Sequence, residues 1–108
     1  MIYSKLLITL SLILVVSACA SARTDKAIAY SNFEDGDYAD AIEWIRRAES
    51  RGDVTPETKA ELTYLEAQSL EKMGEYDGSE ELYSYLVEQH PKSKYGYLAK
   101  SKLEKEIE

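Results

Sequence analysis

GDYADAIEWIRRA (36–48) and GEYDGSEELYSYL (74–86) are one pattern written twice, at an offset of 38 residues. Gly36-Asp37-Tyr38 aligns with Gly74-Glu75-Tyr76. Further along, Ala41 meets Ser79, Ile45 meets Tyr83, and Ala48 meets Leu86. A self-similar period of about 20–50 residues is the signature of stacked supersecondary units. Here the unit is helical: Tyr38, Ala41, Ile42, Ile45 and Ala48 follow the i, i+3, i+4, i+7 spacing of one helix face. Asp40, Glu43 and Arg47 fall on the opposite face.

Working outward, the segment from about Thr24 to Glu34 carries Ala27, Ile28, Tyr30 and Phe33, and Gly36 separates it from the next helix. Glycine enters the left-handed conformation that ends a helix without steric penalty. The second unit repeats the arrangement. Thr55 is an N-cap, Pro56 opens the helix, and Glu57 follows. Leu62, Leu65, Leu70 and Met73 mark its apolar side, and Gly74 stops it. The partner helix runs from about Glu75 to Gln89 with Tyr76, Leu82, Tyr83, Leu86 and Val87. His90-Pro91 ends it, because proline disfavours a helical residue before it. Ser93 caps a last helix bearing Tyr95, Tyr97, Leu98 and Leu103. The expected fold is all-α: a short stack of antiparallel helical hairpins over residues 24–108, closed by a C-terminal capping helix.

This pattern resembles the tetratricopeptide repeat. Ala29, Gly36, Tyr38, Ala41, Ile45 and Ala48 carry the resemblance in the first unit, and Ala67, Gly74, Tyr76, Tyr83, Leu86 and Pro91 in the second. The family repeats at about 34 residues, so about four are added here, around Arg51 to Thr58. Ser79 stands where the family prefers Ala, and Asp53 where it prefers Pro. In the family the first helix of each hairpin lines a groove. The resemblance therefore implies two partner-facing rows, Lys26-Tyr30-Phe33 and Tyr64-Gln68-Glu71. A row of Tyr, Gln and a few charges suits an extended peptide or a helix from another protein. Core packing is the alternative for Tyr30, Phe33 and Tyr64. Trp44 is expected to pack on the next helix. Tyr85 either touches the last helix or stays exposed. Each hairpin is too small to bury its own apolar face, and about three repeats are usually needed for stability. Modest stability or completion by a partner follows.

The start of the chain has a different character. Lys5 precedes a run from Leu6 to Val16 that only Thr9 and Ser11 interrupt. Such a run is shorter than the ~20 residues that span a bilayer. A charged start, an apolar middle and a small-residue end describe a signal peptide, residues 1–18. Val16-Ser17-Ala18-Cys19 resembles the lipobox of bacterial lipoproteins, and Cys19 is the chain's single cysteine. The resemblance implies lipidation of Cys19 and cleavage before it; the alternative is an uncleaved anchor with an incidental cysteine. One acyl chain holds a protein weakly and two or three hold it almost permanently, at ~0.8 kcal/mol per buried methylene. Ala20 behind the cysteine implies, by the same resemblance, sorting to the outer membrane of a two-membrane cell. Residues 19–23 are read as the acylated cysteine and a short tether.

Charge and composition narrow the partners. The formal net charge is −7, which argues against nucleic acid, whose phosphates need clustered Lys and Arg. It argues equally against the bulk of the domain lying flat on anionic lipid. One cysteine and one histidine make neither an internal disulfide nor a zinc site. His90 has no evident orienting partner for general-base work. Asp35, Asp37 and Asp40 surround Gly36, but calcium-loop spacing would place Ser31, Phe33 and Ile42 at ligand positions. No cofactor and no catalytic group is expected. Lys92, Lys94, Lys100, Lys102 and Lys105 crowd the last segment. They read as helix-end cations suited to the dipole, or as a contact for an acidic partner or lipid headgroups. The functional expectation is an envelope lipoprotein that binds another envelope protein, with self-association as the alternative.

Overall fold

The computed structural model describes residues 21–107, all of which the five helices and their connections account for. The signal-peptide, Cys19 and Ala20 readings lie outside the described residues. The helices are α1 (Ala22–Glu34), α2 (Tyr38–Glu49), α3 (Pro56–Lys72), α4 (Tyr76–Gln89) and α5 (Lys94–Ile107). α1 and α2 form one hairpin and α3 and α4 a second. α2 packs on α3, and α5 packs on α4 with a lesser contact to α3. This is the expected stack of antiparallel helical hairpins with a terminal helix. None of the described helices is long and apolar enough to cross a membrane.

Local chemistry sets the boundaries. Thr55 Oγ1 accepts the Thr58 N–H at 3.1 Å, and Pro56 occupies the first turn. Ser93 Oγ accepts the Tyr95 N–H at 3.2 Å. These are the expected caps. Gly36 and Gly74 have φ of +82° and +79°, with open space where a Cβ would stand. They are therefore glycine for backbone conformation and not for lack of room. Gly96 is glycine for the opposite reason. A Cβ there would collide with the His90 carbonyl oxygen, so its absence lets the first turn of α5 seat on the end of α4.

Two apolar clusters form the interior. Ala29, Ile45, Ala48, Leu62 and Leu65 join the first hairpin to α3, with Tyr30, Phe33 and Trp44 packed against them. Ala60, Ala67, Tyr83, Leu86 and Ala99 join the second hairpin to α5. Trp44 thus packs as expected, and the Arg47 guanidinium lies 4.6 Å above its ring.

Three expectations need correction. Residues 22–23 are not part of a tether. Ser21 Oγ accepts the Thr24 N–H at 3.4 Å, so Ser21 is the N-cap of α1, and Ala22 and Arg23 are already helical. Ala27 is exposed; the buried face of α1 is Ala22, Asp25 and Ala29. Asp25 on that face pairs with Arg51, Oδ2 to Nε 2.9 Å. Finally, Met73, Tyr76 and Tyr97 keep 42%, 63% and 71% of their surface. The seam is instead closed by Ala60, Ala67 and Ala99 packed around Tyr83 and Leu86.

The residues added between the units form a loop with a function in the fold. It lies against the start of α1. Arg51 neutralises Asp25, and Asp53 Oδ1 accepts the Ala22 N–H at 3.4 Å. Ser93 donates to Glu57 Oε1 at 3.1 Å. The start of α1, the 50–55 loop and the 90–93 turn therefore share one end of the stack, called the base here. At the other end, the tip, Met73 lines a shallow hollow with Gly36, Asp37, Tyr38, Ala39 and Asp40.

Candidate functional site

α1, α3 and α5 present a common face, and the residues singled out from the sequence lie along it. On α3 the row is longer than expected: Glu57, Glu61, Tyr64, Gln68 and Glu71 recur at helical spacing. Glu61 links the first two helices. It accepts from Lys26 Nζ at 3.0 Å and from the Tyr30 hydroxyl at 2.9 Å. Burial and the Glu61 carboxylate together push the Tyr30 phenol far above its ordinary range, so it stays a neutral donor. Phe33 continues the row, edge-on to Tyr38 with ring centroids 5.4 Å apart.

An aromatic group fills the middle. The Tyr64 ring lies 5.7 Å from Tyr83 and 5.8 Å from Tyr95. All three phenols are raised, first by burial. For Tyr95 the nearby Glu61 and Glu57 carboxylates add to the effect. Tyr64 is only half-buried, so it packs and presents an edge at once. Beyond it, half-buried Gln68 leads to Glu71. Glu71 accepts the Tyr83 hydroxyl at 2.7 Å and Lys102 Nζ at 3.2 Å on both oxygens. Burial raises the Glu71 carboxyl, but Tyr83 and Lys102 outweigh it and hold the group below the usual carboxylate range.

The face therefore carries two hydrogen-bonded carboxylates, each held by a tyrosine and a lysine, with tyrosine rings between them. Lys26, Tyr30, Tyr64, Gln68 and Glu71 all belong to it. What the sequence reading missed is Glu61, Tyr95 and Lys102. Glu61 was legible: it stands one turn before Tyr64 on the same row. The α5 residues were not, because no pattern in one helix tells which face of another it meets.

Other hollows lie at the ends. At the base, Val54, Thr55, Pro56, Lys59, Tyr85, Gln89 and His90 line a depression of about 330 Å³. Tyr85 lines it beside His90, with ring centroids 5.9 Å apart. Among the described residues no three His, Cys, Asp or Glu side chains gather as metal ligands. Comparison with protein-family models, with curated proteins and with solved structures found no match to this chain.

Proposed function

We propose that this chain is a lipid-anchored bacterial envelope protein, held through Cys19, which acts as an adaptor or assembly factor. It binds a segment of another envelope protein along the shared face of α1, α3 and α5. No catalytic step and no cofactor enters this reading. One observation carries it: Lys26, Tyr30, Glu61, Tyr64, Gln68, Glu71 and Lys102 form one half-exposed row across helices that are not consecutive in the chain. Tyrosines offer large contact area with few rotatable bonds, and the fixed carboxylates offer acceptors already in place. An extended or helical segment with basic and apolar side chains complements such a face. The acyl anchor and an outer-membrane location rest on the lipobox resemblance and on Ala20.

Gln68→benzoylphenylalanine in the membrane-bound protein tests the reading. It places a photo-crosslinker on the row without breaking the tyrosine group. A discrete adduct to another envelope protein, lost on Glu71→Lys, supports the adaptor. Its absence, with the protein folded and anchored, removes the row as the binding face. A second reading, self-association, is favoured by Tyr97 and Leu98, which stand exposed on α5 at the open end of the stack. An adduct between two copies, and a mass by light scattering that rises with concentration, would select it.

A further inference from the structure

Among the described residues four large apolar side chains stay exposed, and they fall in two places. Met73 and Tyr76 stand at the tip. Tyr97 and Leu98 stand one after the other on α5. Single exposed apolar residues are ordinary. What sets these apart is the charge around each pair.

At the tip the two hairpin turns lie side by side. Met73 joins them. It lines one hollow with Gly36, Asp37, Tyr38, Ala39 and Asp40, and its neighbour Gly74 begins a second, which Glu75, Tyr76, Asp77 and Gly78 complete. Glu34, Asp35, Asp37, Asp40, Glu75 and Asp77 are all exposed around these hollows. Among the described residues none of the six enters an ion pair. Lys72 is the exposed cation of the two turns. The carboxylates are also spread out: among the described residues no three gather as metal ligands. An extended cationic surface meets such a field at many points, where a single ion meets it at one.

The outer side of α5 is a surface of that kind. Lys92, Lys94, Lys100 and Lys105 are exposed from the 90–93 turn onward, and Glu104 is the exposed carboxylate among the described side chains of α5. Lys102 stands apart, closed on Glu71. Lys94, Tyr97, Leu98, Ser101 and Lys105 follow i, i+3, i+4, i+7, i+11 spacing, so lysines flank the apolar pair along one stripe. The chain thus exposes one apolar pair ringed by acid and another flanked by lysine.

We infer that the tip of one copy receives the outer stripe of α5 from a second copy. Tyr97 and Leu98 cover Met73 and the hollow beside it, and the flanking lysines meet the carboxylates of the two turns. This rests on the reading of the chain as self-associating, and it names the two surfaces that meet. Neither surface includes Tyr64 or Gln68, so a partner on the candidate row and a second copy do not claim the same residues.

Full-length protein with Met73→benzoylphenylalanine provides the test. Copies with natural and with heavy nitrogen are mixed in mild detergent and irradiated, and the adducts are mapped by mass. The expected adduct joins a light to a heavy copy, from position 73 to the 94–105 segment. Raising salt from ~0.1 M to ~1 M cuts the Debye length from ~10 Å to ~3 Å and should lower the yield. Lys94→Glu/Lys100→Glu sets like charges against each other and should lower it about tenfold, as should Asp37→Lys/Glu75→Lys. Mixing these two variants, with the crosslinker on the tip-reversed copies, brings opposite charges together again and should restore the adduct. Arg23→Glu/Lys59→Glu, with the same change in net charge as the α5 pair, should leave the yield in place. Circular dichroism checks that each variant is folded. Copy-to-copy adducts that map elsewhere, or that survive both reversals, would overturn the inference while self-association stands. No copy-to-copy adduct, with a mass by light scattering that does not change with concentration, would overturn both.

Discussion

The two hairpins follow one backbone plan and differ in what they bury. In the first, Ala41, Ile45 and Ala48 are fully enclosed and wholly apolar. At the matching places the second has Ser79, Tyr83 and Leu86, equally enclosed. Ile45 only fills space. Tyr83 fills space and also carries a hydroxyl that must be satisfied, which it donates to Glu71 at 2.7 Å. Ser79 Oγ lies near the Tyr83 hydroxyl but makes no well-formed hydrogen bond. At these three positions the first hairpin only packs. The second exchanges some packing chemistry for a polar link that aims Glu71 along the candidate row. A repeat can keep its geometry while one unit takes on a further task.

The largest expected effect comes from breaking the apolar unit. Ile45→Ala should destabilise by about 2–5 kcal/mol, much of what a small domain has, as read by denaturant melts. Next is the way the second unit is continued. Gly96→Ala drives a methyl group into the His90 carbonyl and should cost about 1–3 kcal/mol. Hydrogen exchange should show the loss concentrated in α5. Gly52→Ala, in open space, serves as the control at under ~0.5 kcal/mol.

Tyr83→Phe asks how much the polar link contributes. A hydrogen bond to a charged group is worth about 1.5–3 kcal/mol when buried, and partial exposure of Glu71 brings the expectation to about 1 kcal/mol. The Glu71 titration followed by NMR should move upward in this variant. A melt that does not change would make Tyr83 as purely a packing residue as Ile45.

Acid should act on the two sides of the seam in opposite senses. The Glu71 carboxyl is depressed in the folded protein. Its stabilisation is present above the unfolded carboxylate value of ~4.3 and is lost as pH falls through the lower folded value. Glu66 is raised by burial, only partly offset by Arg46, and Glu49 by burial and by Glu66. These two groups oppose folding near neutrality and cease to as they take up protons on mild acidification. Glu66→Gln should therefore stabilise at neutral pH and lose its advantage in acid. Glu71→Gln should destabilise at neutral pH, and the difference from the parent should vanish below the carboxylate range. Melting temperatures across the acid range read both.

The smallest effect sharpens the comparison most. Ser79→Ala restores at the second unit the residue type that Ala41 provides in the first. Removing a buried hydroxyl without a well-formed hydrogen bond should be neutral or stabilising by under about 1 kcal/mol. A clear loss of stability would mean that Ser79 holds Tyr83 in place.

Much of the architecture could be read along the chain. The doubled Gly-acid-Tyr pattern, the i, i+4 spacing around Ile45 and Leu65, and Thr55-Pro56 and Ser93 at helix starts are all local signals. Each follows from backbone sterics or from hydrogen bonds within a few residues, so neighbours in sequence suffice to reveal it. The same holds for one row of the candidate site, Tyr64-Gln68-Glu71, which a single helix displays.

The tertiary structure decided what depends on distant partners. Asp25 is a surface acid by type and is buried because Arg51 comes back to it from the inserted loop. Tyr76 and Tyr97 match the apolar pattern and are exposed, while Tyr83 of the same pattern is enclosed. Lys102 reads as one of five lysines and proves to be the clamp on Glu71. Periodicity reports which residues share a face of one helix. Which faces meet, and which charges end near each other, is settled only when helices far apart in sequence are packed together.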